Sequence, residues 1–279
     1  MKLRFTKMHG AGNDYIYFNC FEQNIGNPSE LAIRLSDRHF GIGGDGIVLI
    51  LPSKVADAKM RMFNADGSEG KMCGNAIRCV AKYLYDNNMV RKQVITIETL
   101  SGIKSLNVIE KDGEICTITV DMGEAILESK EIPVSIETDN VVNQKKVVAG
   151  NEFYITCVSM GNPHCVVFCD EISDIKIEDI GPLFENLDIF PERINTEFVK
   201  VIDTNVLEMR VWERGSGETL ACGTGACASV VAAVLNGYCK ENDDIKVLLL
   251  GGELTINYSN DRVLMTGGAT TVFNGIVEV

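Results

Sequence analysis

Long apolar runs and a surplus of basic residues are both missing from this 279-residue sequence, and each absence excludes a class of function. The longest apolar stretches, such as residues 47–51 and 230–235, fall far short of the ~20 residues that a membrane-spanning helix needs. Twenty-six Lys and Arg stand against 39 Asp and Glu, a net charge of −13. The short apolar stretches predict no membrane partner, and since no basic surplus can neutralise phosphates, we expect no nucleic-acid partner either.

Metal-binding and export signals are also scarce. No C-x-x-C pair occurs and the three histidines are scattered along the chain, so we expect no metal site. The N-terminus has charged residues but neither an apolar block nor a small-residue cleavage site, and so does not resemble a secretory signal. We therefore expect a cytoplasmic protein whose ten cysteines stay reduced, as buried filler or as working thiols.

An internal repeat organises the chain. Residues 149 positions apart match without a gap at several points: Gly12-Asn13 with Gly161-Asn162, Phe63 with Trp212, Glu69 with Glu218, and Cys73-Gly74 with Cys222-Gly223. One such match could arise simply because turns need glycine. Several matches at one offset favour a duplicated domain.

The two halves also have similar predicted secondary structure, in which short strands surround one helix. The strands are predicted at residues 15–18, 47–51, 94–98, 115–120, 166–168, 197–202, 207–212 and 253–258. We therefore predict an α+β fold with two pseudo-symmetric domains, each a curved, mostly antiparallel sheet wrapped around a central helix, and an active-site cleft between them. The predicted domains are 1–121 plus 268–279, with a returning C-terminal strand, and 122–267.

The two predicted central helices differ in their expected burial. The helix that begins near Cys222 is apolar on nearly every side, which is typical of a buried helix. The helix that begins near Cys73 has Arg78 and Lys82 on one side, so we expect it to be less completely enclosed. The Asp-, Asn- and Lys-containing segment 135–146 is expected to be a surface excursion.

A glycine-containing loop precedes each central helix, which places Cys73 and Cys222 at the two helix N-termini. There the helix dipole and the unpaired N–H groups favour negative charge, so we expect a lowered thiol pKa and a carboxylate-binding site. A single cysteine could be buried filler, but two at equivalent places in a repeat favour function. The remaining cysteines lack this setting and are interpreted as structural: Cys20, Cys79, Cys116, Cys157, Cys165, Cys169, Cys227 and Cys239.

Two thiols that approach a shared cleft from opposite sides suit inversion at a carbon atom. Removing the α-proton of an amino acid creates negative charge that spreads into the carboxylate, and backbone N–H donors stabilise that charge. No pyridoxal or other cofactor is then required. One cysteine must be the thiolate and the other the thiol, so their titrations are expected to be coupled.

Four motifs lie in register over essentially the whole chain. They are residues 8–14 (MHGAGND), 63–69 (FNADGSE) with 72–79 (MCGNAIRC), 161–164 (GNPH), and 213–218 (ERGSGE) with 221–225 (ACGTG). This set resembles the signatures of the diaminopimelate epimerase family. The resemblance implies an isomerase that interconverts LL- and meso-2,6-diaminopimelate for lysine and peptidoglycan synthesis, with Cys73 and Cys222 as the two bases. It also implies a homodimer, formed partly through the C-terminal segment around Phe273.

The resemblance further implies a set of site residues. His164 and Glu213 would help to set the protonation states of the thiols. Neutral amides can orient a zwitterion, and a guanidinium suits a distal carboxylate because it binds bidentately. One departure is Gly46, where some relatives have a Gln that can reach substrate. The implied substrate contacts are Asn13, Asn64, Asn162, Asn195, Glu213 and Arg214, with backbone N–H groups of Gly74, Asn75, Gly223 and Thr224.

Structural alternatives stay open for these residues, and so do other functions. The asparagines could shape turns, His164 could be structural, and Glu213 with Arg214 could form a surface ion pair. The nearest alternative function is a proline or hydroxyproline racemase, whose substrate has no second amino-acid end. A thiol redox sensor that joins Cys73 to Cys222 and a two-domain amino-acid-binding protein are further alternatives.

Overall fold

The structure, a computed structural model, describes residues 2–111 and 114–279. The chain divides into two compact units, Met1–Asp121 with Thr266–Val279 (unit 1) and Met122–Met265 (unit 2). Each helix of the described residues is too short or too polar to cross a membrane.

Four helices and 18 strands are formed by the described residues. The first part of the chain forms β1 (Lys2–Gly10), β2 (Asn13–Asn19), α1 (Pro28–Ser36), β3 (Gly46–Leu51), β4 (Ala58–Asn64), β5 (Glu69–Gly70), α2 (Gly74–Asp86), β6 (Val94–Thr99), β7 (Gly102–Lys111) and β8 (Glu114–Glu124). The middle part forms β9 (Gln144–Val148), β10 (Asn151–Ser159), β11 (Pro163–Phe168), α3 (Ile177–Glu185), β12 (Asn195–Asp203), β13 (Val206–Glu213), β14 (Gly217–Thr219), α4 (Gly223–Leu235), β15 (Asp244–Leu249), β16 (Gly252–Ser259) and β17 (Arg262–Gly267). The last strand is β18 (Thr270–Glu278).

The strands of unit 1 pair in the order β18-β1-β2-β3-β4-β6-β7-β8, with the short β5 beside β4. The pairs β2–β3 and β4–β6 are parallel, and the others are antiparallel. Helix α2 contacts strands from both parts of this sheet, β1 and β2 as well as β6 and β7. The mostly antiparallel sheet thus covers the helix that follows Cys73.

The strands of unit 2 have the same arrangement, β9-β10-β11-β12-β13-β15-β16, with β14 beside β13. The parallel pairs are β11–β12 and β13–β15. Helix α4 contacts β10, β11, β12, β13, β15 and β16. One helix therefore lies against most of the sheet, which wraps around it.

The two units repeat one another at the offset found in the sequence, 149 residues. Helices α1 and α3 begin at residues 28 and 177, α2 and α4 at 74 and 223, and β1 and β10 at 2 and 151. Strand β18 pairs with β1 in the way that β9 pairs with β10. The predicted α+β fold with an internal duplication is confirmed, and the C-terminal strand completes unit 1.

Helix α2 is more deeply buried than the sequence suggested. The Arg78 side chain is 0% exposed. It donates to the carbonyl oxygens of Gly74 and Gly268 at 3.1 and 3.3 Å, and to the amide oxygen of Asn75 at 2.9 Å. These hydrogen bonds offset the free-energy cost of burying a charged guanidinium group. The expectation that this side of α2 is less completely enclosed was wrong at Arg78, because its acceptors come from its own helix and from the returning C-terminal segment, whereas the Lys82 side chain is 16% exposed.

Helices α1 and α3 were not predicted, and neither were nine of the strands: β1, β4, β5, β7, β9, β10, β14, β15 and β17. Asn27 caps α1 by accepting the N–H of Glu30, and Pro28 is its first residue, so start signals were present. Helix α3 contains Pro182, which obscures a helical pattern. The segment 135–146 is not wholly a surface excursion, because Val141 is fully buried in the unit 2 core and the segment leads into β9.

Candidate functional site

Cys73 and Cys222 each occupy the N-cap position of a central helix. Both have extended backbones, with φ and ψ of −139° and 121° for Cys73 and of −115° and 109° for Cys222. Their carbonyl oxygens accept the first helical bonds, from the N–H groups of Ile77 at 3.0 Å and Ala226 at 2.9 Å. The predicted placement of the two thiols at helix N-termini is confirmed.

In unit 1, a hydrogen-bonded chain leads away from Cys73. Its thiol donates to the amide oxygen of Asn13 at 3.3 Å. The amide nitrogen of Asn13 donates to Oδ2 of Asp45 at 2.7 Å, and the same oxygen accepts the N–H of Asp14 at 3.0 Å. Asn13 is therefore held between a carboxylate and the thiol.

Two basic side chains, Lys7 and Arg38, form ion pairs with the carboxylates of Asp14 and Asp45. Lys7, with a side chain 8% exposed, pairs with Asp14 at 2.5 Å and donates to the carbonyl oxygen of Gly43. Arg38 bridges Asp14 at 2.7 Å and Asp45 at 2.9 Å. Burial opposes ionisation of Asp14, but its bonds to Arg38 and Lys7 outweigh burial and lower its pKa. Burial, and then the neighbouring Asp14, raise the pKa of Asp45. Sequence reasoning missed this network, although Asp14 lies in a quoted motif.

Asn64 and Gly46 lie opposite one another on β4 and β3. The amide nitrogen of Asn64 donates to the hydroxyl of Ser68 at 3.0 Å, within its own loop. A Cβ atom at Gly46 would lie 2.0 Å from the carbonyl oxygen of Phe63 and 2.8 Å from Tyr15. This backbone therefore has no room for the glutamine of some relatives.

In unit 2, Cys222 lies in a comparable polar setting. Its sulfur accepts the N–H of Gly225 at 3.4 Å and lies 3.5 Å from the hydroxyl of Thr224. The amide nitrogen of Asn162 donates to that hydroxyl at 3.3 Å. Asn162 thus reaches its cysteine through Thr224, whereas its repeat equivalent Asn13 contacts the other cysteine directly.

The pKa of Cys222 is raised well above the ordinary thiol value of 9.0. Burial is the largest cause, and the nearby carboxylates of Glu213 and Glu197 add to it. The hydroxyl of Thr224 and the N–H of Gly225 act in the opposite direction but are outweighed. The prediction of a lowered thiol pKa was therefore wrong for Cys222, because burial and two carboxylates exceed the effect of the helix end.

His164 is part of a fully buried pair with Glu197. Its Nδ1 lies 2.7 Å from Oε1 of Glu197, and neither side chain is exposed. A Cβ atom at Gly225 would lie 2.6 Å from the same oxygen, so the first turn of α4 packs directly on Glu197. Among the described residues, Nε2 of His164 and Oε2 of Glu197 have no hydrogen-bond partner. Sequence reasoning missed Glu197, and the available signal was an acidic residue at the start of a predicted apolar strand.

Asn195, Glu213 and Arg214 lie together in unit 2. The amide nitrogen of Asn195 donates to the carbonyl oxygen of Pro163 at 2.8 Å, and its amide oxygen accepts the backbone N–H of Arg214 at 2.9 Å. Glu213 accepts a hydrogen bond from the hydroxyl of Thr219. Asn195 therefore links the first residue of β11 to the turn after β13, and it fixes the backbone from which the Arg214 side chain extends.

The other described cysteines are free thiols, and most of them are buried. Burial raises the pKa of Cys20, Cys79, Cys169 and Cys239 to about 11. The side chain of Cys116 lies outside the described residues. Within the ranges 2–111 and 114–279, no group of three or more His, Cys, Asp or Glu side chains could hold a metal ion.

The chain is similar to known proteins over nearly its whole length. The family model described as diaminopimelate epimerase matches residues 5–128 and 156–272. The diaminopimelate epimerase of Acetivibrio thermocellus is 56% identical over an alignment of 279 positions that covers 99% of each chain. That of Methanococcus maripaludis strain S2 is 54% identical and covers 99% of this chain and 100% of its own.

Solved structures share the fold at much lower identity. A hydroxyproline epimerase from Agrobacterium vitis with bound trans-4-hydroxy-L-proline aligns with a TM-score of 0.71 at 15% identity, over 99% of this chain and 91% of that one. A PhzF-family phenazine biosynthesis protein from Bacillus anthracis aligns with a TM-score of 0.70 at 17% identity, over 100% of both chains. At such identities the likeness shows the fold alone.

Proposed function

This chain belongs to the diaminopimelate epimerase family, an isomerase family, and from that premise we propose that it interconverts LL- and meso-2,6-diaminopimelate with Cys73 and Cys222 as the two bases. The observation that carries the two-base mechanism is the equivalent position of the two thiols. Each is the N-cap of the central helix of one repeat.

The helix ends support stabilisation of the reaction intermediate. The first N–H groups of α2 and α4 precede the first intrahelical bond and point out of the helix end. These groups belong to Gly74, Asn75, Gly223 and Thr224. When the α-proton leaves, negative charge develops on the α-carboxylate, and such donors, together with the helix dipoles, favour it. The proposal therefore needs no cofactor.

The mechanism requires one thiolate and one thiol on opposite faces of the α-carbon. The thiolate sulfur takes the α-proton, and the other thiol gives its proton to the opposite face, so the two cysteines exchange roles in each turnover. Because its pKa is raised, Cys222 is a thiol in the unliganded protein at neutral pH. The positively charged α-ammonium group of the substrate would favour formation of the thiolate. We assign Glu213 and His164 to setting these protonation states, since Glu213 already raises the pKa of Cys222.

A second amino-acid end distinguishes diaminopimelate from proline and hydroxyproline. We assign Arg214 to the distal carboxylate, since a guanidinium presents five donors in a planar fork. One of its nitrogens donates to the carbonyl oxygen of Glu192 at 2.8 Å, a contact that helps to fix the side chain. Asn64 and Asn195 complete the proposed contacts to this end, and Asn13 and Asn162 contact the reacting end.

Solvent isotope exchange tests the proposal. The protein is incubated with LL-diaminopimelate in deuterium oxide, and we expect the meso isomer with deuterium at the inverted α-carbon. Cys73→Ala and Cys222→Ala should fold, by circular dichroism, and lose the activity. Cys79→Ala, which changes a buried thiol, should keep most of it. Near-normal turnover by either of the first two variants would remove the two-base mechanism. Absence of exchange in the unaltered protein would favour the redox sensor or the binding protein, and exchange with proline alone would favour the racemase.

We also propose a homodimer formed through β18. This strand pairs with β1 along one edge, and three large apolar side chains on it are exposed, Val272 by 54%, Phe273 by 46% and Ile276 by 64%. Exposed apolar residues along one strand are typical of a protein–protein interface. A second copy of the chain is the proposed partner. Ile276→Asp should give a monomer by light scattering, and an unchanged dimer, or a monomeric unaltered protein, would rule out this interface.

We place the reaction in the cytoplasm, in the synthesis of lysine and peptidoglycan precursors. The described cysteines are free, which fits a reducing compartment. Expression in a bacterium that lacks diaminopimelate epimerase should restore growth without added meso-diaminopimelate. Failure to do so, with soluble protein present, would contradict this role.

A further inference from the structure

The amide group of Asn13 has its two ends in different environments. Its nitrogen donates to the carboxylate of Asp45 at 2.7 Å, and its oxygen accepts from the thiol of Cys73 at 3.3 Å. An ionised carboxylate can only accept hydrogen bonds, so it selects the NH2 end of a neighbouring amide. The orientation of Asn13 is thus dictated by Asp45.

Asp45 itself is held on several sides. Its side chain accepts the backbone N–H of Asp14 at 3.0 Å and pairs with Arg38 at 2.9 Å. Its backbone N–H donates to the carbonyl oxygen of Asp14 at 2.7 Å, and its carbonyl oxygen accepts the N–H of Ala65 at 3.0 Å. Lys7 anchors Asp14 in turn. A carboxylate fixed at so many points can hold a neighbouring amide in one orientation.

The orientation of this amide has a chemical consequence for Cys73. An amide oxygen accepts a hydrogen bond from a thiol and so favours the protonated form. The opposite orientation would present an NH2 donor, which favours a thiolate. The same side chain therefore supports one protonation state or the other, depending on which end faces the sulfur.

We propose that Asp45 is a positioning residue that fixes the Asn13 amide with its oxygen toward Cys73 and thereby keeps this thiol protonated until substrate binds. The inference rests on the proposed function and deepens it, because it names what sets the resting state of one of the two bases. Asp45 acts through Asn13 and need not touch the substrate.

A simpler explanation must be separated from this one. Asp45 is an anion, and removing any nearby anion favours a thiolate through charge alone. Asp14 provides a matched control, since it is also a carboxylate of this network but does not bond to the Asn13 side chain. Tyr17 and Cys79 interact electrostatically with Cys73 as well. Burial raises the pKa of both, to about 11 for Cys79, so both stay neutral near pH 7.

The test measures the alkylation of Cys73 by iodoacetamide as a function of pH, without substrate, by peptide mass spectrometry. Asp45→Ala should move the profile to lower pH and increase the rate at pH 7 by about tenfold, the effect of roughly one pKa unit. Asp45→Asn keeps one acceptor and should show a smaller increase. Asp14→Asn should change the rate much less than Asp45→Ala. Circular dichroism and protection of Cys79 from alkylation report on folding.

A double-mutant cycle decides between positioning and charge. In an Asn13→Ala background, Asp45→Ala should have little further effect, because the amide through which Asp45 acts is gone. An equal effect in both backgrounds, an unchanged profile in Asp45→Ala, or an equal shift in Asp14→Asn would each overturn the proposal. The measurement uses no substrate, so it stands apart from the epimerase assay. A protein that failed to turn over diaminopimelate but showed the predicted cycle would remove the proposed function and leave the positioning of Cys73 intact.

Discussion

His164 and Glu197 form a hydrogen bond of 2.7 Å from which solvent is fully excluded, and the first turn of α4 packs on the carboxylate. Removing the imidazole leaves the buried carboxyl group of Glu197 without its hydrogen-bond partner, at a cost of about 1–3 kcal/mol. We expect His164→Ala to lower the free energy of unfolding by about 2–3 kcal/mol, measured by urea denaturation. Glu197→Gln keeps an acceptor and should lose less.

The matched control for this pair is Glu253→Gln. Glu253 pairs with Lys246 at 3.0 Å, but its side chain is 61% exposed, so the substitution should change stability by less than about 1 kcal/mol. Equal losses for the buried and the exposed substitutions would show that the His164–Glu197 pair contributes little.

The raised pKa of Cys222 predicts the pH dependence of the reaction. The proposed mechanism needs one thiolate, and a thiol with a raised pKa gives up its proton only at higher pH. We therefore expect kcat/KM for diaminopimelate to increase as the pH rises from 7 into the alkaline range. Glu197→Gln removes one of the carboxylates that raise this pKa, so the rise should move to lower pH. A profile that is flat from pH 6 to 10 would contradict the assignment.

Arg214 should not be replaceable by lysine. Lysine keeps the positive charge but not the planar fork that binds a carboxylate bidentately. We expect Arg214→Lys to lower kcat/KM for diaminopimelate by about 10- to 100-fold, the loss of one strong charge-assisted contact. Arg193→Lys, at a side chain 54% exposed, serves as the control and should change little. If Arg214→Lys leaves kcat/KM unchanged, the arginine does not bind the distal carboxylate.

The proposed two-base mechanism predicts that oxidation inactivates the enzyme by joining Cys73 to Cys222. Thiols that reach the two faces of one α-carbon can approach disulfide geometry when no substrate lies between them, with a Cα separation of roughly 4.4–6.8 Å. We expect mild peroxide to abolish activity, a dithiol to restore it, and peptide mapping to find a Cys73–Cys222 link that diaminopimelate suppresses. A reversible loss of activity that mapped to another pair of cysteines would show that these two thiols do not share a site.

The sequence was informative wherever a local pattern or a repeat determines the structure. The offset between Cys73 and Cys222 predicted two equivalent units, and the glycine-containing loops before them predicted two helix N-termini. Contacts between distant residues left no such signal. Asp45 is 32 residues from Asn13, and no periodicity joins them.

The pKa and the burial of a side chain, which depend on all of its neighbours in the folded protein, could not be predicted from the sequence either. The sign of the pKa shift of Cys222 depends on burial and on Glu197, a residue that only the folded sheet brings near. The buried state of Arg78 depends on a carbonyl oxygen of the returning C-terminal segment, at Gly268. A helical sequence pattern alone predicts that such an arginine is exposed to solvent.

The position of β18 has a consequence for how the chain is made. Strand β1 precedes unit 2 in the chain, yet its partner β18 follows all of unit 2. Unit 2 is one continuous segment. It can therefore fold on the ribosome while unit 1 still lacks β18, the strand that pairs with β1. Until β18 emerges, the open side of β1 offers unpaired backbone groups to other nascent chains. Translation that stalls after residue 265 would thus release a chain with a finished second half and an unfinished, aggregation-prone first half.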